Sequence, residues 1–243
     1  MKLRNPQNRY DIDIRKSARV LEVGGGHNPH PRSNVVVDKY SGSENLHRGL
    51  DLKILPNQKF INADGEALPF KDNEFDYVIC NHVLEHVDNP ANFLLEQCRV
   101  AKKGYLETPS LIGEYLVPKA SHRWVILEID KQIVLYEKER INFSPFLDLG
   151  YIFNEYLPKQ SLPFKLLQRT QPNLITVNYE WEEGIDFLVN PNDDYYVNFF
   201  VRTWGEDFCK HIFAQRPLLK EGSVTWNAFI KICRSVLKGR LFR

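Results

Sequence analysis

Four points in the first 110 residues place chemistry-bearing side chains just after a run of β-branched or apolar residues. The string Val20-Leu21-Glu22-Val23-Gly24-Gly25-Gly26-His27-Asn28-Pro29 reads as a strand entering a glycine-rich turn. Glycine there lets the backbone bend sharply and approach a ligand without a Cβ in the way. A dinucleotide site would want GxGxxG at this turn, and Pro29 occupies the third glycine position. Glu22 suits instead a cofactor with a cationic amino-acid end, either acting on the ammonium through water or ordering the loop that runs through Gly24, Gly25, Gly26 and His27. Asp38, followed by Lys39, ends the next strand candidate, where a carboxylate can accept both hydroxyls of a ribose. Asp64 follows the third and is placed to meet an adenine edge. Asn81 and His82 leave the fourth at the carboxyl edge of the sheet, where ligands of open α/β folds bind.

The elements that position these residues alternate in the manner of an α/β fold around a largely parallel sheet. Strands are expected at Arg19–Val23, Asn34–Val37, Lys59–Ile61, Phe75–Cys80 and Lys103–Glu107, the last stopped by Thr108-Pro109. Between the last two, Asn89 can cap and Pro90 open a helix whose stripe Ala91, Leu94, Leu95, Cys98, Ala101 should pack on the sheet. Only seven residues, with Pro29 and Pro31 among them, separate Gly26 from Asn34. A full crossover helix needs about 10–12 residues including its loops, so the first helix is expected to be short or absent. Further on, Trp124–Ile129 and Ile133–Tyr136 look like paired strands around Asp130-Lys131, with a helical segment near Phe146 to Leu157. Leu174–Glu180 and Ile185–Val189 suggest an antiparallel hairpin across Glu182-Glu183-Gly184. Ser223 can cap a last helix with Trp226, Phe229, Ile230, Cys233, Val236 and Leu237 on one face.

The ordered set of motifs resembles the class I S-adenosylmethionine-dependent methyltransferases, in the type 11-like branch whose hallmark reads ADxExLPFxDxxFDxVxxxxxLEHV. Here that stretch runs from Ala63-Asp64-Gly65-Glu66-Ala67-Leu68-Pro69-Phe70 through Phe75-Asp76-Tyr77-Val78 to Leu84-Glu85-His86-Val87. With EVGGG and VVVDKY before it, the resemblance covers roughly residues 19–109. It implies a Rossmann-like, mostly parallel sheet and S-adenosyl-L-methionine as cofactor. Residue by residue, it assigns Glu22, Gly24 and Gly26 to the methionine-side loop, Asp38 to the ribose, Asp64 with Gly65 to the adenine, and Asn81 to the methionine end. Methyl transfer is an in-line displacement at an activated carbon, so alignment supplies much of the acceleration. A hydroxyl acceptor still gains from a group that takes its proton. His82, Glu107 and His122 are the candidates, and sequence spacing offers no set of metal ligands.

Composition sets the remaining bounds. The chain has 243 residues and 32 Lys+Arg against 31 Asp+Glu, a balance that argues against a dedicated nucleic-acid binder. Its four cysteines are far apart, which fits reduced thiols in a cytoplasmic protein. Residues 1–209 are expected to form the methyltransferase domain, with an accessory region at about 111–165 and an aromatic-rich stretch, since 16 of the 30 aromatics fall between Trp124 and Trp204. Acceptor choice should reside in that less familiar half, with a small-molecule or glycan-type acceptor and O-methylation as the expected chemistry. An RNA methyltransferase, or a cofactor-binding scaffold without transfer activity, is the alternative. The segment 210–243 carries eight basic residues and one acid, and its part from 223 onward permits peripheral contact with an anionic membrane surface.

Overall fold

The computed structural model describes residues 1–39, 51–213 and 215–241, with side chains through Val236. Its strands are β1 (Lys2–Arg4), β2 (Val20–Val23), β3 (Val35–Asp38), β4 (Lys59–Asn62), β5 (Tyr77–Asn81), β6 (Lys103–Pro109), β7 (Trp124–Ile129), β8 (Gln132–Glu137), β9 (Thr176–Glu182) and β10 (Phe187–Val189). Seven form one sheet in the order β1-β9-β6-β5-β2-β3-β4. From β6 to β4 every pairing is parallel. The chain winds outward from β2 through β3 to β4 and then returns to β5 on the other side. That reversal opens a crevice at the carboxyl ends of β2 and β5, where open α/β sheets bind ligands. The Rossmann-like fold expected from the sequence is therefore present.

Burial explains the strands. β2 and β3 are buried at every position, as near-continuous apolar runs in parallel sheets must be. One face of the sheet carries α1 (Pro90–Val100), capped by Asn89 Oδ1, which accepts from the Asn92 amide. Its buried residues are Pro90, Phe93, Leu94, Gln97 and Val100, whereas Leu95 is exposed. The stripe expected from Ala91, Leu94, Leu95 and Cys98 is thus rotated, because Phe93 fills the space beneath the Asp64-Gly65 turn. Residues 24–34 contain no helix, as the short spacing requires. The opposite face is covered by the N-terminal segment, whose Ile12 and Ile14 pack on Val20, Tyr77, Ile79 and Tyr105.

A second, three-stranded sheet has the order β10-β8-β7. β7 and β8 form the expected antiparallel pair, with Ile129 opposite Gln132 across Asp130 and Lys131, both at positive φ. Alternation along β7 divides it between two cores. Trp124 and Ile126 join the core of the large sheet, while Val125, Leu127 and Ile129 pack with Phe199 and Phe200 of α5 (Asp194–Val201).

The hairpin expected from Leu174–Glu180 and Ile185–Val189 does not form. Its first strand, β9, pairs antiparallel with β6 and β1 in the large sheet, and its second, β10, runs parallel to β8 in the small one. Gly184, at φ +132°, and Glu183, at φ +61°, turn the chain out of one sheet toward the other. β9 also carries β6 past its expected stop, since Thr108 and Pro109 pair with Val177 and Thr176. The strand β1 had no signal beyond three residues of mixed character.

In the second half, α2 (Leu111–Leu116) is followed by a π-helical turn at Tyr151–Tyr156 within the expected helical region, then α3 (Leu157–Gln160) and α4 (Leu162–Thr170). After α6 (Glu206–Ile212), α7 runs from Leu218 to Leu241. Ser223 lies inside α7 and does not cap it. Among the described side chains of α7, Ala228 and Ile232 are buried, Phe229, Ile230 and Cys233 are half-buried and Trp226 is 62% exposed, so the docked face is rotated from the one expected; the helix contacts α4. Leu237, Lys238 and Arg240 belong to the undescribed side chains, and Arg243 and Tyr40 lie outside the described residues.

Candidate functional site

At the carboxyl ends of β2, β3 and β5 lies a cavity of about 500 Å³, lined by Gly24, Gly25, Gly26, His27, Asp38, Lys39, Asp64, Gly65, Asn81 and His82. Nine of the ten cofactor-site residues expected from the sequence thus share one cleft, and Glu22 does not line it. Gly24 holds φ at +75°, and a Cβ there would lie 2.1 Å from Val83 Cγ2. A Cβ on Gly65 would meet the Phe93 ring at 2.6 Å. Both turns therefore need glycine for the chain to pass close to its neighbours. Asp64 accepts from Lys39 Nζ at 2.7 Å and from the Glu66 amide at 3.0 Å. Burial would raise its pKa, but these partners hold its carboxyl below the usual range. Glu66 in turn accepts from the Asp88 and Asn89 amides, which ties the Asp64–Glu66 loop to the start of α1.

Glu22 sits beneath this loop, fully buried. Its Oε2 accepts from the His30 amide and the Ser33 hydroxyl, both at 2.7 Å. Its Oε1 has no hydrogen-bond partner and faces the Arg9 guanidinium at 3.6 Å. Burial raises the Glu22 pKa despite Ser33, His30 and Arg9. Of the two roles open to this carboxylate, ordering the loop is the one the geometry matches. Arg9 lines the cleft itself, yet nothing in its neighbourhood of the sequence marks it, because only the N-terminal segment crossing the sheet brings it there.

His82 follows β5 at φ +53°, a left-handed conformation that costs a non-glycine residue energy and recurs at functional sites. Its Nδ1 lies 3.3 Å from Glu85 Oε1 and its Nε2 3.3 Å from Glu107 Oε1. Burial would depress its pKa, but the bonds to Glu107 and Glu85 outweigh it and push it up to about 10. A histidine expected to take a proton therefore already carries one. Glu107 also accepts from the Tyr105 hydroxyl, and the Asn81 amide nitrogen, turned toward it, donates to both oxygens at 3.2 and 3.3 Å. Glu107 lines neither this cavity nor the one beside it, and it holds His82 in place.

The sign of the His82 contribution follows from its raised pKa. Folding favours the imidazolium, so the contribution is full below the unfolded value near 6.5 and is lost as pH rises through about 10. His82→Asn keeps a residue tolerant of positive φ. The melting-temperature gap between wild type and this variant should be widest near pH 6.5 and close by pH 10.5; a gap constant across that range would contradict the pairing.

A second cavity, of about 780 Å³, adjoins the first, and His82 and His86 line both. Phe164, Leu167, Ile232 and Val236 give it apolar walls from α4 and α7, and Lys119, Lys165 and Arg169 give it cations. His122 lines it too, with Nδ1 2.6 Å from Glu114 Oε2. Burial would raise the Glu114 pKa, but His122 and Lys138 hold it low. The small sheet locks this wall in place: the Arg123 amide donates to Glu85 O at 2.8 Å, and Trp124 Nε1 donates to Val87 O at 2.7 Å. The fold thereby brings His122 beside Glu85 and His86, a grouping that sequence spacing could not reveal.

Residues 39–106 match the family model described as a methyltransferase domain. An uncharacterized protein of Methanocaldococcus jannaschii is 52% identical over 93 residues, covering 35% of this chain and 40% of that protein. The ubiquinone/menaquinone biosynthesis C-methyltransferase UbiE of Pseudomonas fluorescens is 33% identical over 103 residues, covering 37% of this chain and 40% of the relative. The chain thus spans about two fifths of the length of these relatives. A solved S-adenosylmethionine-dependent methyltransferase from Mesorhizobium loti is 13% identical, with a TM-score of 0.37 over 68% of this chain and 90% of that one.

Proposed function

We propose, from the premise that this chain carries a class I S-adenosylmethionine-dependent methyltransferase domain, that the protein methylates a hydroxyl of a small-molecule or glycan-type acceptor held in the second cavity. The observation that carries the reading is the junction of the two cavities at His82 and His86. One cavity has the ribose-type and adenine-type carboxylates and glycine turns that suit S-adenosyl-L-methionine; the other is closed by residues from outside the motif region.

The cleft residues fit the cofactor in chemistry as well as in place. Asp38 would accept the ribose hydroxyls, Asp64 and Gly65 would border the adenine, and Gly24 to His27 would leave room for the methionine end, with Arg9 available to its carboxylate. When bound, S-adenosylmethionine supplies a methyl on cationic sulfur, which passes to the acceptor oxygen as the carbon–sulfur electron pair returns to sulfur and the acceptor proton departs. His82, held cationic between Glu85 and Glu107, orients the junction. His122 donates from Nδ1 to Glu114, which leaves Nε2 as the nitrogen able to take the acceptor's proton.

The walls of the second cavity support an acceptor with an apolar part and an anionic part, as a lipid-linked or nucleotide-linked sugar has, because Phe164, Leu167 and Val236 stand near Lys165 and Arg169. No described helix is long and apolar enough to cross a membrane. We place the reaction in the cytoplasm, with the segment 223–243 near the membrane surface as the route for a lipid-linked acceptor. Exposed Leu218, Leu219 and Trp226 support that placement. The UbiE-type relatives are named for C-methylation, so prenylated quinone precursors belong in the same acceptor screen.

Calorimetric titration tests the premise. S-adenosylmethionine and S-adenosylhomocysteine should each bind saturably at one site and NAD should not. Binding of NAD alone, or of none of the three, would remove the cofactor assignment. A mass-spectrometric acceptor screen then reads methylation directly; a gain of one methyl on carbon in a quinone precursor, with none on sugar hydroxyls, would replace the O-methyl reading.

A further inference from the structure

We infer that Glu85, His86 and His122 form a binding site for one transition-metal dication of the zinc class, set in the wall of the acceptor cavity. One ring nitrogen from each histidine and one Glu85 oxygen lie within 4.8 Å of one another. Ligand atoms about 2.0–2.1 Å from a tetrahedral zinc stand roughly 3.3 Å apart, so each needs to move by little more than about 1 Å to close on an ion. Two imidazoles and one carboxylate suit zinc, cobalt or ferrous iron and not the all-oxygen shells of calcium or magnesium.

The three side chains are also held as metal ligands are held. His86 Nδ1 is 3.0 Å from the Ser121 carbonyl oxygen and must donate to it, which fixes Nε2 as the nitrogen with the lone pair. That Nε2 is 4.0 Å from Glu85 Oε1. His122 Nδ1 stands 2.6 Å from the Glu114 carboxylate, which orders the ring in the same way. The two rings meet edge to face with centroids 4.7 Å apart. Glu85 is 1% exposed, and its Oε2 accepts from Thr108 Oγ1 at 3.0 Å. A buried carboxylate beside two oriented imidazoles carries a desolvation cost that an ion held between them would offset.

All three residues line the 780 Å³ cavity. Three protein ligands with a further position open to a cavity is the pattern of a catalytic and not a structural zinc. The dication would lower the pKa of an acceptor hydroxyl placed at that open position, and its proton would leave to solvent through the cavity. With the ion bound, His122 Nε2 is occupied by the metal, and its proton-accepting role belongs to the metal-free protein. That consequence rests on the methyl-transfer reading, whereas binding of the ion does not.

The test uses the full chain, stripped with a chelator and free of S-adenosylmethionine. Titration with Co²⁺ should give one equivalent of binding and the visible absorption bands of a low-coordinate site, with Zn²⁺ displacing it. His86→Gln and His122→Gln should each weaken binding by more than about 100-fold, and Glu114→Gln, which of the three ligands contacts His122 alone, by about 10–100-fold. Circular dichroism checks that each variant is folded. Independently of any variant, Zn²⁺ should shift the ring-proton resonances of His86 and His122 in wild type. The inference is overturned if wild type takes up neither ion saturably, or if uptake survives in both histidine variants. Cofactor titration on the same samples separates failure of the metal site from failure of the methyltransferase reading.

Discussion

Glu85→Ala should destabilise the chelator-treated protein by about 1–3 kcal/mol, because it leaves the buried Thr108 hydroxyl without its acceptor and the part-exposed His82 with Glu107 alone. The carboxylate is buried and faces His82 at 3.3 Å, Thr108 Oγ1 at 3.0 Å and, at longer range, His86 and His122. Burial by itself would raise its pKa, yet His82 and the other histidines hold it below the usual carboxylate range. A lowered acid contributes stability above its unfolded pKa and loses it as pH falls through the folded value. The difference between wild type and Glu85→Ala should therefore be full at pH 7 and shrink in acid below the ordinary carboxylate pKa near 4.3. Urea unfolding at several pH values measures it. A loss under about 1 kcal/mol at pH 7 would mean that Glu85 is not the anchor of this cluster. The same variant leaves His82 with Glu107 alone, so the His82 titration seen by NMR should move downward from about 10.

The second large effect is on cofactor affinity. Asp38→Ala should raise the Kd for S-adenosylmethionine by about 100-fold or more, since each hydrogen bond to a charged group is worth about 1.5–3 kcal/mol and a ribose offers two hydroxyls. Asp38 ends β3, is 7% exposed and lines the cleft. S-adenosylhomocysteine carries the same ribose, so its Kd should rise by the same factor. Asp38→Asn should recover part of the loss. Equal affinities for wild type and Asp38→Ala in calorimetry would move the ribose elsewhere in the cleft. A loss confined to S-adenosylmethionine would place Asp38 near the sulfur, which the two ligands do not share in charge.

The cofactor half of the site was legible because each of its residues lies at the end of a strand whose identity is local. In parallel strands buried on both faces, apolar runs such as Val20-Leu21 and Val35-Val36-Val37 mark themselves, and the next polar residue falls at the carboxyl edge. Glycine at Gly24, aspartate at Asp38 and the Asp64-Gly65 pair could therefore be placed by counting. The errors came where a choice between equivalent partners had to be made. Both segments of the supposed C-terminal hairpin are strands, but β9 gains more by pairing along β6 than along β10. The stripe of α1 was displaced for a similar reason, since Leu94 fits either face and only the space beneath Gly65 selects Phe93 as its neighbour.

The amino-acid sequence by itself determined the kind of fold, the motif-bearing cleft and the cofactor that suits it, because these depend on residues near in sequence to the strand ends that carry them. What only the tertiary structure decided is the other half of the site. His122 reaches Glu85 because β7 packs across the turn at Leu84–His86, Arg9 reaches the cleft because the N-terminal segment crosses the sheet, and α7 walls the second cavity because it docks on α4 with Ala228 and Ile232 buried. Such meetings are set by which apolar faces bury each other, a long-range free-energy balance that no local spacing records.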